Sequence, residues 1–264
     1  MNRYERVMSL IQVQWKYTKK FLIGIIILLL GSEGYFLYSN LAKTTFKRME
    51  YDYATGALVE TSNSWSLRFE ELLAMSYWDK IFIIAVVATL LLLVSIAFRQ
   101  KSASMAEYTY LRLPISSNTL YFTKILHSLS VLLILLGVQF ASVLLGYQMY
   151  LYMVPQEAVM HGGLFLAFVR WNFLLQTYPI IDPLRVVLNI AYVVHLAMSA
   201  AYMNVCILLK VNRPGPVILV IIFYLIFYNP MSIFGFVISF GILILSMIWM
   251  YKNYKGMITS LGGE

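Results

Sequence analysis

Acid–base, nucleophilic or metal chemistry in this 264-residue chain would have to come from twelve acidic residues, three histidines and one cysteine. His127, His161 and His195 have no partner at i, i+4 and no carboxylate at ligand spacing, so a metal site would have to be assembled from distant helices. Glu70 and Glu71 are adjacent, yet the arginine four residues later that a metal-peptidase glutamate pair calls for is replaced by Met75. The pair reads as a solvated acidic turn. Cys206 stands alone, which excludes an intrachain disulfide and a cysteine-cluster metal site, and it reads as a small buried hydrophobe. No G-x-x-x-x-G-K-[ST] loop occurs, so the chain cannot cradle nucleotide phosphates in that manner.

A second set of polar residues lies inside long apolar runs. In hydrocarbon a polar side chain is costly and turns toward protein or a wet cavity, which makes Glu33, Asn189, His195 and Asn204 candidates for lining a translocation path. Three of them have an alternative. Glu33 sits roughly 8 Å from the outer end of its apolar run, at 1.5 Å per residue, and its carboxylate could reach the interface. Asn189 and Asn204 could instead join helices by hydrogen bonds.

The elements that would position these residues follow from composition. Apolar residues make up 61% of the chain and charged residues 12%, with a mean hydropathy of +0.75, outside the range of soluble domains. Apolar segments at 21–38, 81–98, 125–149, 184–209, 216–228 and 231–251 predict six membrane-spanning helices in an all-α integral membrane fold, a single transmembrane domain over 1–264. Six spans put both termini on one side. With that side cytoplasmic, thirteen of the 20 Lys and Arg residues lie inside, in accord with the retention of positive charge there. The net charge of +8 comes from residues at the ends of apolar segments and makes no continuous basic face, which argues against a nucleic-acid partner. No small-residue cleavage site follows the first apolar run, so that helix is expected to remain as an anchor.

Two segments resist a simple span reading. Gly163 to Tyr178 is apolar but carries Arg170 and Asn172 at its centre, and is expected to be re-entrant or interfacial, with Trp171 and Tyr178 near the headgroups. Ser39 to Lys80 is the longest polar segment, and a short amphipathic helix is expected over Glu60–Met75. The Asn229-Pro230 step reads as a tight outer turn.

The most patterned polar segment is Arg99 to Lys124. Met105, Tyr108 and Leu111 share one helical face, with Glu107 and Arg112 elsewhere, predicting a helix over about Ala103–Leu113 that lies along the membrane surface. Pro114 ends it, and Ser116, Ser117 or Asn118 can cap the next helix. A handle for a motor protein and a plain interfacial anchor both match this pattern. Leu113-Pro114-Ile115-Ser116, followed by Lys124 ten positions after the proline, resembles the pattern of type-2 ABC exporter permeases. So does the wider plan of an amphipathic N-terminal segment, six spans and cytoplasmic termini. Ser117 departs from the arginine usual in that family.

The resemblance implies the membrane-spanning permease subunit of an ABC exporter in a prokaryotic plasma (inner) membrane, not itself an enzyme. It implies cytoplasmic ABC ATPase subunits that bind ATP and Mg, a second permease (identical or related), and membrane lipids as partners, with no cofactor in this chain. It also implies that Met105, Glu107, Tyr108, Leu111, Arg112, Pro114, Ser117 and Lys124 couple the spans to the ATPase. Abundant aromatic residues around the spans suit a lipid-like, peptide or drug cargo, and equally suit aromatic belts. An integral membrane enzyme acting on lipids and a noncatalytic accessory subunit are the competing readings.

Overall fold

The computed structural model describes residues 3–43, 48–52, 57–61, 68–103, 117–156, 159–160, 162–208 and 233–259. Helix dominates them: α1 (Arg3–Lys43), α2 (Phe69–Met75), α3 (Trp78–Ala103), α4 (Ser117–Met153), α5 (Gly163–Arg170), α6 (Asn172–Thr177), α7 (Pro183–Leu208) and α8 (Ile233–Thr259). The all-α architecture expected from the sequence stands, with one short strand pair added to it. Strands β1 (Arg48–Asp52) and β2 (Ala57–Thr61) pair antiparallel, with Arg48 opposite Thr61 and Asp52 opposite Ala57. The alternation of polar and apolar residues in Arg48-Met49-Glu50-Tyr51-Asp52 is the strand signal. The helix expected over Glu60–Met75 is correspondingly shorter: Glu60 belongs to β2, and α2 begins at Phe69.

Four described helical stretches are long and apolar enough to cross a membrane: Met8–Lys43, Trp78–Ile96, Asn118–Met153 and Pro183–Ile207. They contain the first and third expected spans and nearly all of the second and fourth. Their outward residues include Ile27, Leu28, Leu91, Leu145 and Ile190, as expected where lipid is the solvent. The 216–228 segment and the Asn229-Pro230 step lie outside the described residues, and the last expected span, 231–251, corresponds to the 27-residue α8.

Helix α1 corrects a second expectation. The amphipathic N-terminal segment is not a separate helix but continues into the apolar run for 41 residues, about 60 Å, twice the hydrocarbon thickness. No proline occurs in this stretch and no glycine before Gly24, so nothing interrupts the backbone ladder. The 163–178 segment is broken instead. Trp171 takes extended backbone (φ −80°, ψ 115°) between α5 and α6, and the eight residues of α5 cover only about 12 Å, too short to span.

The chain packs as two units. The first comprises Met1–Ile25, Val86–Leu135 and Leu184–Glu264. Its core includes Tyr121, Tyr202, Val205, Cys206, Met250 and Tyr254, with the Tyr121 and Tyr254 rings stacked at 4.1 Å. Cys206 is thus a buried packing residue, as its sequence context indicates.

The second unit comprises Ile26–Ala85 and Leu136–Pro183. Its tightest packing is at Gly146 of α4, where a Cβ would lie 2.9 Å from the buried Trp78 ring and 3.2 Å from Leu37. Only a residue without a side chain lets α1, α3 and α4 approach there. Ser76 and Tyr77 join α2 to α3, with Tyr77 in left-handed backbone (φ 56°). The Ser76 hydroxyl donates to the Leu72 carbonyl at 2.7 Å and accepts from Asn40 Nδ2 at 3.0 Å, tying the turn to α1.

Gly146→Leu is therefore expected to destabilise the detergent-solubilised protein by about 1–3 kcal/mol. Gly137→Leu, at a glycine with no atom within 4 Å of the added Cβ, should not. Tryptophan-monitored thermal unfolding of the two variants checks this, and equal losses would contradict it.

Candidate functional site

One group of buried polar residues in the first unit gathers around Lys124. This lysine, seven residues into α4, is 5% exposed, and its Nζ donates to Asn204 Oδ1 of α7 at 2.5 Å. Asn204 Nδ2 in turn donates to the Leu93 carbonyl of α3 at 3.3 Å. One turn along α4, His127 Nε2 lies 2.9 Å from Thr18 Oγ1 of α1. The Thr18 hydroxyl is already committed as donor to the Gln14 carbonyl at 2.8 Å, so Nε2 carries the proton and donates to it. That leaves His127 Nδ1 as an acceptor, buried and without a hydrogen-bond partner, like Oε1 of Gln14. A cavity lined by Gln14, Lys124, His127, Ser128, Ala200 and Asn204 lies between them, with room for about one water-sized molecule.

The residues expected to couple the spans to an ATPase divide accordingly. Met105, Glu107, Tyr108, Leu111, Arg112 and Pro114 lie outside the described residues, and α3 runs as far as Ala103. Ser117 is the first residue of α4. Lys124 is interior, holding helices together through its ammonium.

The residues expected along a translocation path are also separated. His195 and Asn204 are nine residues apart on α7, which is two and a half turns, so they face opposite sides of it. Asn204 meets α3 and α4. His195 is fully buried, with Nε2 2.9 Å from Ser246 Oγ of α8 and Nδ1 3.2 Å from Ser199 Oγ. Asn189 is half-buried on the same helix. Both Asn204 and His195 thus act as joints between helices, the alternative open at the sequence level for the asparagine.

Glu33 belongs to the second unit. Helix α1 continues ten residues beyond it, and its side chain is fully buried. Ser142 Oγ of α4 donates to its Oε2. Gln139, one turn earlier on α4 and also fully buried, lies beside it.

The acidic turn of the sequence reading is corrected for one of its two residues. Glu71 is half-exposed and lies 3.7 Å from Arg68. Glu70 is only 8% exposed, and its Oε1 lies 3.9 Å from Nη1 of Arg170 at the end of α5. The pair brings α2 and the last residue of α5 together just before the break at Trp171. No local pattern could have announced this, because the partners are 100 residues apart. Among the described residues no group of three or more His, Cys, Asp or Glu is placed to hold a metal ion.

No protein-family model, no curated protein and no solved structure matches this chain.

The Lys124–Asn204 contact makes a specific demand on stability. Asn204→Leu removes the acceptor from a buried ammonium and should cost about 2–3 kcal/mol. Lys124→Met should cost less, and the double variant less than the two single losses combined, since it leaves no charge behind. Thermal unfolding of the three variants in one detergent measures the coupling, and strict additivity would rule the contact out.

Proposed function

We propose that this chain is the membrane-spanning permease subunit of an ATP-driven exporter whose motor is a separate cytoplasmic ATPase. The observation that carries the reading is the position of Lys124. The lysine that completes the Leu113-Pro114-Ile115-Ser116 pattern is buried in contact with Asn204, and Asn204 with the Leu93 carbonyl, so one hydrogen-bonded link joins α4, α7 and α3. The polar segment 99–124 is continuous with α3 at one end and with α4 at the other. Force applied to it by a motor would pass directly into two apolar helices and through Asn204 into a third.

Four helices are of spanning length, and the lack of a phosphate-binding glycine loop in this sequence supports placing nucleotide hydrolysis in a partner. In this reading two such subunits, identical or related, join two ATPase subunits at the cytoplasmic face of a prokaryotic plasma membrane. ATP binding draws the motors together, and the segment over about 103–113, which the sequence pattern predicts as a surface helix, transmits the movement. Alternating access then requires that cargo, whether lipid-like, peptide or drug, bind the two states with different affinity.

Affinity purification of the full chain in mild detergent, with mass spectrometry of what accompanies it, tests the reading. Wild type should bring down a nucleotide-binding subunit, and Glu107→Arg combined with Leu111→Asp should lose it while the chain still inserts. Absence of any such partner from wild type would refute the permease reading and direct attention to lipid-modifying activity.

A further inference from the structure

The Glu33 cluster is unexplained by packing. Glu33 lies within the apolar run 21–38 of α1 and is fully buried, yet its carboxyl group is met only by Ser142, which donates to Oε2, and by Gln139 beside it. Oε1 has no hydrogen-bond partner. Gln139 is fully buried against Glu33, and neither its Oε1 nor its Nε2 makes a hydrogen bond of good geometry. Three polar side chains on the facing surfaces of α1 and α4 therefore present unused capacity to one another in a region where such capacity is expensive.

The charges around Glu33 sharpen the point. Among the described residues no Lys, Arg or His stands in ion-pair contact with it; the Arg68–Glu71 and Arg170–Glu70 pairs of this unit lie elsewhere. Its titratable neighbour among the described residues is Tyr178, at the end of α6, and that hydroxyl is already donated to the Leu136 carbonyl at 2.7 Å. A lone carboxylate buried in hydrocarbon requires a compensating positive charge. This side chain obtains none from the described protein.

We propose that Glu33, Gln139 and Ser142 form a binding site for one small monovalent cation, a proton or an alkali ion. The donor set consists of a carboxylate, an amide carbonyl and a hydroxyl, all hard oxygens, with no sulfur or imidazole to attract a softer metal. One carboxylate balances one positive charge, whereas a divalent ion would leave net charge in the apolar interior. The complete burial of Glu33 and Gln139 leaves out an organic ammonium. Gln139 needs only to turn its carbonyl toward Oε1 to complete the site from the same face of α4 that carries Ser142. The inference rests on this geometry alone and holds whether or not the chain works with an ATPase.

The test uses the full chain in lipid nanodiscs at constant ionic strength, with choline chloride as the balancing salt. In the first arm, sodium or potassium is titrated and the melting temperature followed. An alkali-ion site raises it for wild type and leaves Glu33→Gln unresponsive. In the second arm, infrared spectra are recorded in choline alone. A proton site shows a protonated-carboxyl band in wild type that Glu33→Gln lacks and that sodium does not displace. Gln139→Leu keeps the carboxylate and guards against a misfolded Glu33 variant; it should weaken the alkali response about tenfold or shift the carboxyl band. The proposal is overturned if wild type responds to neither ion and Glu33→Gln removes no carboxyl band, or if calcium stabilises wild type where sodium and potassium do not.

Discussion

Every polar side chain that this chain carries into hydrocarbon must be satisfied by the protein itself, since lipid offers no hydrogen bonds. The short hydroxyl side chains meet this locally. Thr18, Ser32, Thr123 and Ser130 each donate to the carbonyl four residues earlier on their own helix, which removes the cost without involving a neighbour. Longer side chains cannot fold back in this way, and these are the ones that cross between helices. Lys124, Asn204, His127 and His195 in the first unit, and Glu33 with Ser142 in the second, mark where one helix is held to the next.

This division gives the two units different chemistry. In the first, the interior polar groups are a lysine, two histidines and several amides and hydroxyls around a cavity of single-water size. In the second, they include two carboxylates, Glu33 within the apolar run of α1 and Glu70 against Arg170. Aromatic packing fills the rest of the second unit, with Phe69 against Tyr147 and Tyr150, and Phe140 against Phe168 and Tyr178. Aromatic side chains pack densely while keeping a hydroxyl free for a partner, as Tyr178 does with Leu136.

Sequence periodicity and length were good guides wherever a helix is long, because an apolar run of spanning length has few alternatives to helix in lipid. They were poorer at element ends. The continuity of α1 from Arg3 to Lys43 was hidden by the change from amphipathic to apolar at Phe21, although the lack of any breaker before Gly24 was there to be read. The β1–β2 hairpin was likewise legible in the strict alternation of Arg48 to Asp52, a period-2 pattern masked by the surrounding polarity.

What the sequence by itself determined is the solvent and the material: apolar helices of spanning length, polar residues isolated within them, and no nucleotide-binding loop. It also singled out Glu33, His195, Asn204 and Lys124 as residues needing an explanation. Only the tertiary structure decided which of them meet. Lys124 and Asn204 are 80 residues apart and came from separate lines of reasoning, yet they share one hydrogen bond, while His195 and Asn204, on one helix and grouped together, face opposite sides. Glu70 changed from a solvated residue to a buried one for the same reason. In a membrane interior a polar group's role is set by the partner that satisfies it, and helix packing, rather than local sequence, chooses that partner.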